Sequence, residues 1–217
     1  MSIDPDIVSG TLTLIGQYDS PFVRRVGIAL HHAGIPFAHL RWSAFSDARR
    51  LRAVNPLMRV PSLVLEDGRV LVDSHAMLDH IDRRAGVAMR PASGAARDDA
   101  LRCEGLAVGL AEKAVALFYE MKLHREVSPE WAGRCREQMA ATALALEAQA
   151  QLHPSPFWFG EALSHADIAL ACAWRFVREA HPGVLAEQRL LTLVAQCAAL
   201  EAMSVFRATV QPFLPPA

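Results

Sequence analysis

Along the first 86 positions of the chain, short apolar stretches alternate with segments in which apolar residues recur at helical spacing. Short apolar stretches predict strands, and apolar residues at a spacing of three or four predict helices. The predicted elements, in order, are a strand at 11–15, a helix from Ser20-Pro21 to Gly34, a strand at 37–42, a helix at 46–54, a hairpin around Asp67-Gly68 and a helix at 74–85. The order β-α-β-α-β-β-α is typical of a sheet with helices on both faces.

The second half of the chain is alanine-rich and has helical spacing throughout. The predicted helices cover 95–125, 129–152 after the cap Ser128-Pro129, 166–178, 188–200 and 201–209. Ser164 and Asp167 form a capping pattern at the start of the third of these helices. Residues 87–94, with Pro91, are the best linker candidate.

The predicted hairpin has chemistry at its first strand. Asp67-Gly68 accepts the positive φ angles of a two-residue turn. Pro61 opens the strand, where a missing N–H is tolerated, and it favours an extended conformation for Val60. Val60 can therefore offer both its N–H and its C=O to an extended peptide laid beside it.

The far end of the hairpin carries polar groups of a second kind. Asp73 and Ser74 leave the second strand where the next helical pattern begins. The carboxylate can receive an ammonium group, while the hydroxyl and the free helix N–H groups can receive a carboxylate. The hairpin thus combines peptide-backbone recognition with recognition of an amino-acid zwitterion.

Composition and charge argue against several classes of protein and partner. The formal net charge of −1 gives no electrostatic reason to expect nucleic acid or an anionic membrane as a partner. The apolar runs are too short to span a bilayer, and the N-terminal residues lack the pattern of a signal peptide, so we expect a cytoplasmic protein. The four cysteines contain no C-x-x-C pair, and the histidines show no metal-binding spacing, so we expect free thiols and no metal.

The hairpin motifs and the capped helix at Ser164 together resemble the glutathione S-transferase family, and the resemblance covers nearly the whole chain. It implies an α/β thioredoxin-like N-terminal domain followed by an all-α C-terminal helical domain. We expect a flexible tail over 1–10, a glutathione-binding domain over 11–86, a linker over 87–94 and the helical domain over 95–217.

The resemblance also implies the residues that bind glutathione as co-substrate. Val60, before Pro61, would pair with the cysteinyl backbone, and in the family this Val-Pro bond is cis. Asp73 and Ser74 would hold the γ-glutamyl end, and Arg59 would help through its charge. Asp73 stands where Glu or Gln is more usual in the family, which shortens the reach to the ammonium group.

The reacting group implied by the resemblance is Ser20, at the start of the first helix. A thiol with a pKa of about 8.5 is only about 3% ionised at pH 7, and lowering that pKa by about two units needs roughly 2.7 kcal/mol. A helix N-terminus supplies at most about 2 kcal/mol, whereas a hydroxyl donor to charged sulfur adds roughly 1.5 to 3. We therefore expect Ser20 to donate to the sulfur. The alternatives are that Ser20 is only a helix cap, or that Tyr18 is the donor.

The resemblance implies a cytoplasmic homodimer that conjugates glutathione to a small apolar electrophile in detoxification. Serine cannot form the mixed disulfide of family members with cysteine at this place, which favours conjugation. The candidates for an acceptor pocket are Tyr18, Trp42, Phe118, Tyr119 and Trp174, and core packing is the alternative for the last four. A glutathione-dependent isomerase, a dehalogenase and a non-catalytic binding or regulatory protein are the alternative functions.

Three groups of charged residues are interpreted as solvated helix faces, although one of them could belong to the dimer interface. These groups are Arg24-Arg25, Arg83-Arg84 and Arg97-Asp98-Asp99-Arg102.

Overall fold

The computed structural model describes residues 4–213, and the chain divides into two compact units. The first comprises the described residues up to Ala88 together with Ala208–Pro212, and the second comprises Met89–Arg207 with Phe213. The predicted α/β unit followed by a helical unit is confirmed. The return of residues 208–212 to the first unit was not predicted, and the expected linker and domain bounds stay predictions.

The first unit is built on a four-stranded mixed sheet. Its elements are β1 (Thr13–Ile15), α1 (Pro21–His32), β2 (Ala38–Leu40), α2 (Ala48–Val54), β3 (Ser62–Val64), β4 (Val70–Val72) and α3 (Ser74–Ala85). The strand order is β2-β1-β3-β4, with β1 and β2 parallel and β3 antiparallel to both of its neighbours. This topology places the ends of β1 and β3 beside each other at the centre of the sheet.

Alternation along the central strands builds a separate core on each face of the sheet. Leu14 and Leu63 pack with residues of α1 and α3 on one face. Ile15 and Val64 lie on the opposite face, where they pack with Leu51 of α2. The two central strands therefore bury both of their faces, as expected for a sheet covered by helices on both sides.

The turn between β3 and β4 differs from the predicted two-residue turn. The Gly68 N–H donates to the Leu65 C=O over 2.9 Å, and the Leu65 N–H donates to the Arg69 C=O over 2.8 Å. Within the turn, only Gly68 has a positive φ, of 85°. The Asp67 carboxylate accepts the Arg69 N–H over 3.0 Å, and this local bond favours the longer loop.

Within residues 4–10, for which the sequence predicts a loose tail, Ile7 is buried and Asp4 bonds α2, while most of the other residues are exposed. Ile7 is 9% exposed and joins the core face that contains Trp42. Asp4 accepts from Arg50 of α2, and the Arg50 guanidinium lies 4.1 Å from the centre of the Trp42 ring. Residues 1–3 of the predicted tail lie outside the described residues.

The second unit is helical over its described residues. Its elements are α4 (Gly94–Leu123), α5 (Pro129–Ala150), α6 (His165–Ala180), a 3-10 turn (Glu187–Arg189), α7 (Leu191–Glu201) and α8 (Ser204–Arg207). The predicted capping pattern is confirmed, since Ser164 and Asp167 bond each other's backbone N–H groups. Among residues 4–213, no helix combines the length and apolar character needed to cross a membrane.

The predicted helix at 188–200 is interrupted near its start. Leu190 has φ −128° and ψ 34°, outside the helical region, so a 3-10 turn precedes α7. Its side chain is buried, with only 2% of its surface exposed. The predicted helix at 201–209 is likewise shorter, because α8 covers only Ser204–Arg207.

Candidate functional site

Ser20 lies at the N-terminus of α1 with its hydroxyl engaged as an acceptor. Its Oγ accepts the Val23 N–H over 3.4 Å, and Pro21 occupies the first helical position. The Ser20 N–H donates to the Gln17 C=O over 3.1 Å, which closes the preceding loop. A hydroxyl that accepts one hydrogen bond still has a proton to donate. Capping therefore does not prevent Ser20 from donating to an anion at this helix end.

Val60 approaches the start of α1 because Gly16 has no side chain. A Cβ at Gly16 would lie 2.5 Å from Val23 Cγ2 and 2.8 Å from Val60 Cβ, and Gly16 has φ 133°. The Val60-Pro61 peptide bond is cis. The end of β1 thus brings Val60 next to the first turn of α1, near Ser20.

A hydrogen-bond network fixes the backbone just before Val60. The buried Asn55 side chain donates to the Arg59 C=O over 3.1 Å and to Ser62 Oγ over 3.0 Å. Ser62 Oγ in turn donates to the Arg59 C=O over 3.1 Å. Within residues 4–213, neither the N–H nor the C=O of Val60 has a hydrogen-bond partner. This pair of backbone groups has the donor and acceptor pattern that an extended peptide requires.

Asp73 and Ser74 form the N-terminus of α3. Asp73 has φ 75° and ψ 125°, a backbone conformation that costs a non-glycine residue about 1–3 kcal/mol and clusters at functional sites. Asp73 Oδ1 accepts the His75 N–H over 2.8 Å, while the side chain is 68% exposed. A carboxylate has capacity for further donors, so Asp73 can still receive a cation.

The Ser74 hydroxyl accepts a hydrogen bond from an arginine of α1. Arg25 Nη1 donates to Ser74 Oγ over 3.3 Å, and the two residues are 1% and 6% exposed. The prediction that Arg24-Arg25 is a solvated face is therefore wrong, since Arg24 is also only 2% exposed. The Ser74 hydroxyl retains its proton, and the guanidinium adds positive charge beneath it.

Tyr18 occupies the core of the first unit. Its ring stacks on His39 at 4.0 Å between centroids, and burial raises its pKa to about 12. A Cβ at Gly27 would lie 2.9 Å from the Tyr18 hydroxyl oxygen. Gly27 lies about two turns beyond Ser20 along α1, roughly 10 Å from the helix start. This position contradicts the prediction of Tyr18 as an alternative donor to sulfur at the helix end.

Three of the other pocket candidates pack within the core of their own unit. Trp42, Phe118 and Trp174 are 4%, 5% and 3% exposed. Phe118 makes an edge contact with Phe213 at 5.3 Å between centroids. Tyr119, the next residue on α4, is 39% exposed. These positions agree with the core-packing alternative for Trp42, Phe118 and Trp174.

The structure adds four residues that the sequence patterns did not assign to the site. They are Gly16, Arg25, Asn55 and Ser62. Gly16 follows a predicted strand and Asn55 precedes a proline, positions that the patterns treat as ordinary loop and turn residues. The contacts of these residues, and not their positions in the sequence, show that they arrange the site.

No metal centre is evident in the part of the chain that the structure describes. No three His, Cys, Asp or Glu side chains among residues 4–213 are placed to hold a metal ion. All four cysteines are buried free thiols. Burial raises the pKa of Cys103, Cys135 and Cys197.

The four-stranded mixed sheet with helices on both faces, followed by a helical second unit, defines a thioredoxin-like architecture with an all-helical second unit. The family model of the glutathione S-transferase N-terminal domain matches residues 14–91, and that of the C-terminal domain matches residues 129–202. The chain belongs to the glutathione S-transferase family.

Solved structures and curated proteins show the same relationship. A glutathione transferase family member from Pseudomonas fluorescens Pf-5, solved with bound glutathione, is 27% identical, with TM-score 0.79 and 94% of this chain and 100% of that chain covered. A glutathione S-transferase from Methylobacterium radiotolerans, in complex with glutathione sulfonate, shares the fold at TM-score 0.86 and 23% identity, covering 95% and 97% of the two chains.

The matches to several curated relatives are shorter. Glutathione S-transferase U4 from Arabidopsis thaliana is 31% identical over 32% of this chain and 31% of its own length. Matches to the first curated relatives cover only 31% to 35% of their length.

Proposed function

We propose that this protein binds glutathione in its first unit and conjugates the thiolate to a small apolar electrophile. The observation that carries the proposal is the Val60 backbone, whose N–H and C=O have no partner among residues 4–213 and lie beside the start of α1. The bound glutathione in the Pseudomonas fluorescens relative, at 27% identity, supports the same ligand.

The site residues fit the parts of glutathione. The Val60 N–H and C=O pair with the cysteinyl backbone, while Ser20 donates to the sulfur. The exposed Asp73 carboxylate receives the γ-glutamyl ammonium group, and Ser74 receives the γ-glutamyl carboxylate. Arg59 is exposed and directly precedes Val60 in the chain, so we assign it a supporting role through its positive charge.

The reaction follows from stabilising the thiolate. The thiol proton leaves to solvent, and the helix N-terminus with the Ser20 hydroxyl stabilises the sulfur anion. A sulfur electron pair then forms the C–S bond, and the displaced pair moves onto the acceptor or its leaving group. Mass analysis of the products distinguishes this thioether from the isomerised substrate of an isomerase or the halide released by a dehalogenase. Binding without turnover would favour a non-catalytic protein.

Binding is tested by calorimetric titration of glutathione into the wild type and Asp73→Asn. Asparagine retains the acceptor for the His75 N–H and tolerates a positive φ, so the variant removes only the charge. We expect binding to weaken about tenfold, equivalent to about 1.4 kcal/mol. Asp79→Asn is the control, because Asp79 is an exposed carboxylate on the same helix. Absence of binding to the wild type contradicts the proposed function.

The role of Ser20 is tested with a matched pair of serine caps. Ser128 begins α5 as Ser20 begins α1, with proline at the first helical position and its Oγ accepting an N–H over 3.2 Å. Ser20→Ala and Ser128→Ala should each cost about 1 kcal/mol of stability through the lost cap. Only Ser20→Ala should raise the pKa of bound glutathione, by about one to two units, as followed by thiolate absorbance. An unchanged thiol pKa in Ser20→Ala would leave Ser20 as a cap alone.

The resemblance also leads us to propose a cytoplasmic homodimer. Light scattering of the purified chain tests the dimer, and a monomer at micromolar concentration would contradict it.

A further inference from the structure

Residues 208–212, which follow α8, belong to the first unit, and we call this segment the C-terminal strap. Its central side chains alternate in exposure. Thr209 is fully buried and Val210 is 55% exposed. Gln211 is again partly buried. The strap therefore presents Thr209 and Gln211 to the first unit and Val210 to solvent.

Gln211 binds the loop that leads into Ser20. The Tyr18 N–H donates to Gln211 Oε1 over 3.0 Å. The same loop is closed by the Ser20 N–H donating to the Gln17 C=O. Because the Tyr18 ring is fixed in the core, the Gln211 bond sets the backbone just before Ser20.

Thr209 binds the helix that follows Ser20. Arg24 Nε donates to Thr209 Oγ1 over 3.3 Å, and both residues are buried. The Arg24 N–H in turn donates to the Ser20 C=O over 3.0 Å. The strap thus contacts the chain two residues before Ser20 and one helical turn after it.

We propose that Thr209 and Gln211 are positioning residues that set where the Ser20 hydroxyl lies. The inference rests on the proposed function, because it concerns the hydrogen bond from Ser20 to the glutathione sulfur. Hydrogen-bond strength falls steeply with angle and distance, so a small displacement of Ser20 weakens that bond. Val60, Asp73 and Ser74 lie on other segments, so the strap acts on the thiolate and not on the rest of the ligand.

The test uses four full-length variants of the strap. Gln211→Met and Thr209→Val each remove one hydrogen-bond acceptor at similar side-chain volume. Thr209→Ser keeps the hydroxyl and serves as the conservative variant. Val210→Ala is the control at an exposed position. We expect the two loss variants to raise the pKa of bound glutathione by about half a unit or more and to lower kcat by about tenfold. Glutathione affinity should stay within about twofold of the wild type. Thr209→Ser and Val210→Ala should behave as the wild type.

Amide hydrogen exchange on the free protein gives a measurement that needs no ligand. Gln211→Met should speed exchange at the Tyr18 N–H, while Val210→Ala should not. If the wild type fails to bind glutathione, the proposed function fails, whatever the exchange result. If the wild type turns over but the loss variants keep its thiol pKa and kcat, the positioning role alone is overturned. Equal changes in all four variants, including Thr209→Ser, would likewise overturn it by indicating a general loss of stability.

Discussion

Glu147 of α5 caps a different helix, and this contact gives a sharp prediction of stability. The N-cap position of α7 is Leu190, whose side chain cannot accept a hydrogen bond. Glu147 supplies the missing acceptor, because its Oε2 accepts the Leu193 N–H over 2.7 Å and its Oε1 accepts the Thr192 N–H over 3.1 Å. Gln151 also donates to Oε1, over 2.9 Å. The Glu147 carboxylate is thus the N-terminal cap of α7.

The substitution Glu147→Gln measures this cap without creating a cavity. The amide oxygen can still accept the Leu193 N–H, but its NH2 group then faces the Thr192 N–H. Gln151 can rotate to present its own oxygen, so one backbone donor loses its acceptor. An unsatisfied buried donor costs about 1–3 kcal/mol, so we expect a loss of about 2 kcal/mol in the free energy of unfolding.

Urea unfolding at neutral pH, followed by circular dichroism, measures the loss. Glu137→Gln is the matched control, because Glu137 is an exposed residue of the same helix. We expect it to stay within about 0.5 kcal/mol of the wild type. A loss in Glu147→Gln no larger than that of the control would refute the cap.

Acid gives a second test of Glu147. Burial alone raises its pKa, but the hydrogen bonds from Leu193, Gln151 and Thr192 outweigh burial, so the pKa in the folded state is lowered from 4.5. A lowered pKa stabilises the fold above the unfolded value, and this stabilisation is lost as the pH falls through the folded value. The difference between wild type and Glu147→Gln should therefore be full at pH 7 and shrink below about pH 4.5. A difference independent of pH would contradict the role of the charge.

Three further substitutions should lower stability, each measured by urea unfolding. Gly16→Ala, which places a Cβ 2.5 Å from Val23, should cost about 2 kcal/mol or more, and a neutral result would contradict the close contact at the site. Asp167→Ala removes the acceptor of three donors and should cost about 3 kcal/mol, whereas a loss below about 1 would contradict the capping box. Glu104→Gln breaks a buried ion pair with Arg90 and should cost about 3 kcal/mol, unlike a surface pair.

Features that depend on neighbouring residues were predictable from the sequence. The capping box at Ser164 and Asp167 forms within four residues, and the pattern predicted it correctly. The helix from Ser74 to Ala85 has the predicted bounds, and it ends at Gly86, which adopts the left-handed conformation. The prediction of a two-residue turn at Asp67-Gly68 was wrong. The preference of this dipeptide for a tight turn competes there with the bond from the Arg69 N–H to the Asp67 side chain, and that bond favours the longer loop.

Features that depend on distant partners were not predictable. Arg24 and Arg25 resemble a solvated face, because charged residues on a helix usually point to water. Their hydroxyl partners, Thr209 and Ser74, lie 185 and 49 residues away along the chain. No periodicity of α1 itself indicates these partners.

The same distinction between local patterns and distant contacts applies to the residues of the candidate site. The sequence indicated Val60, Asp73 and Ser74, because a proline, a strand end and a helix start each have a local pattern. The groups that hold these residues were not indicated, since Asn55 and Ser62 act through one shared carbonyl, that of Arg59. The local sequence pattern predicts which polar groups of a residue are available for binding, whereas contacts with distant residues determine where those groups lie.

α1 explains how separate segments form one site. Its first turn carries Ser20 and contacts Val60 across Gly16. Its second turn carries Arg25, which binds Ser74 at the start of α3. A helix rises about 1.5 Å per residue, so these contacts fall within roughly 8 Å along one rigid element. α1 therefore contacts each of the segments that carry the site, and its two buried arginines each bond a hydroxyl on another segment, which offsets part of the cost of burying their charge.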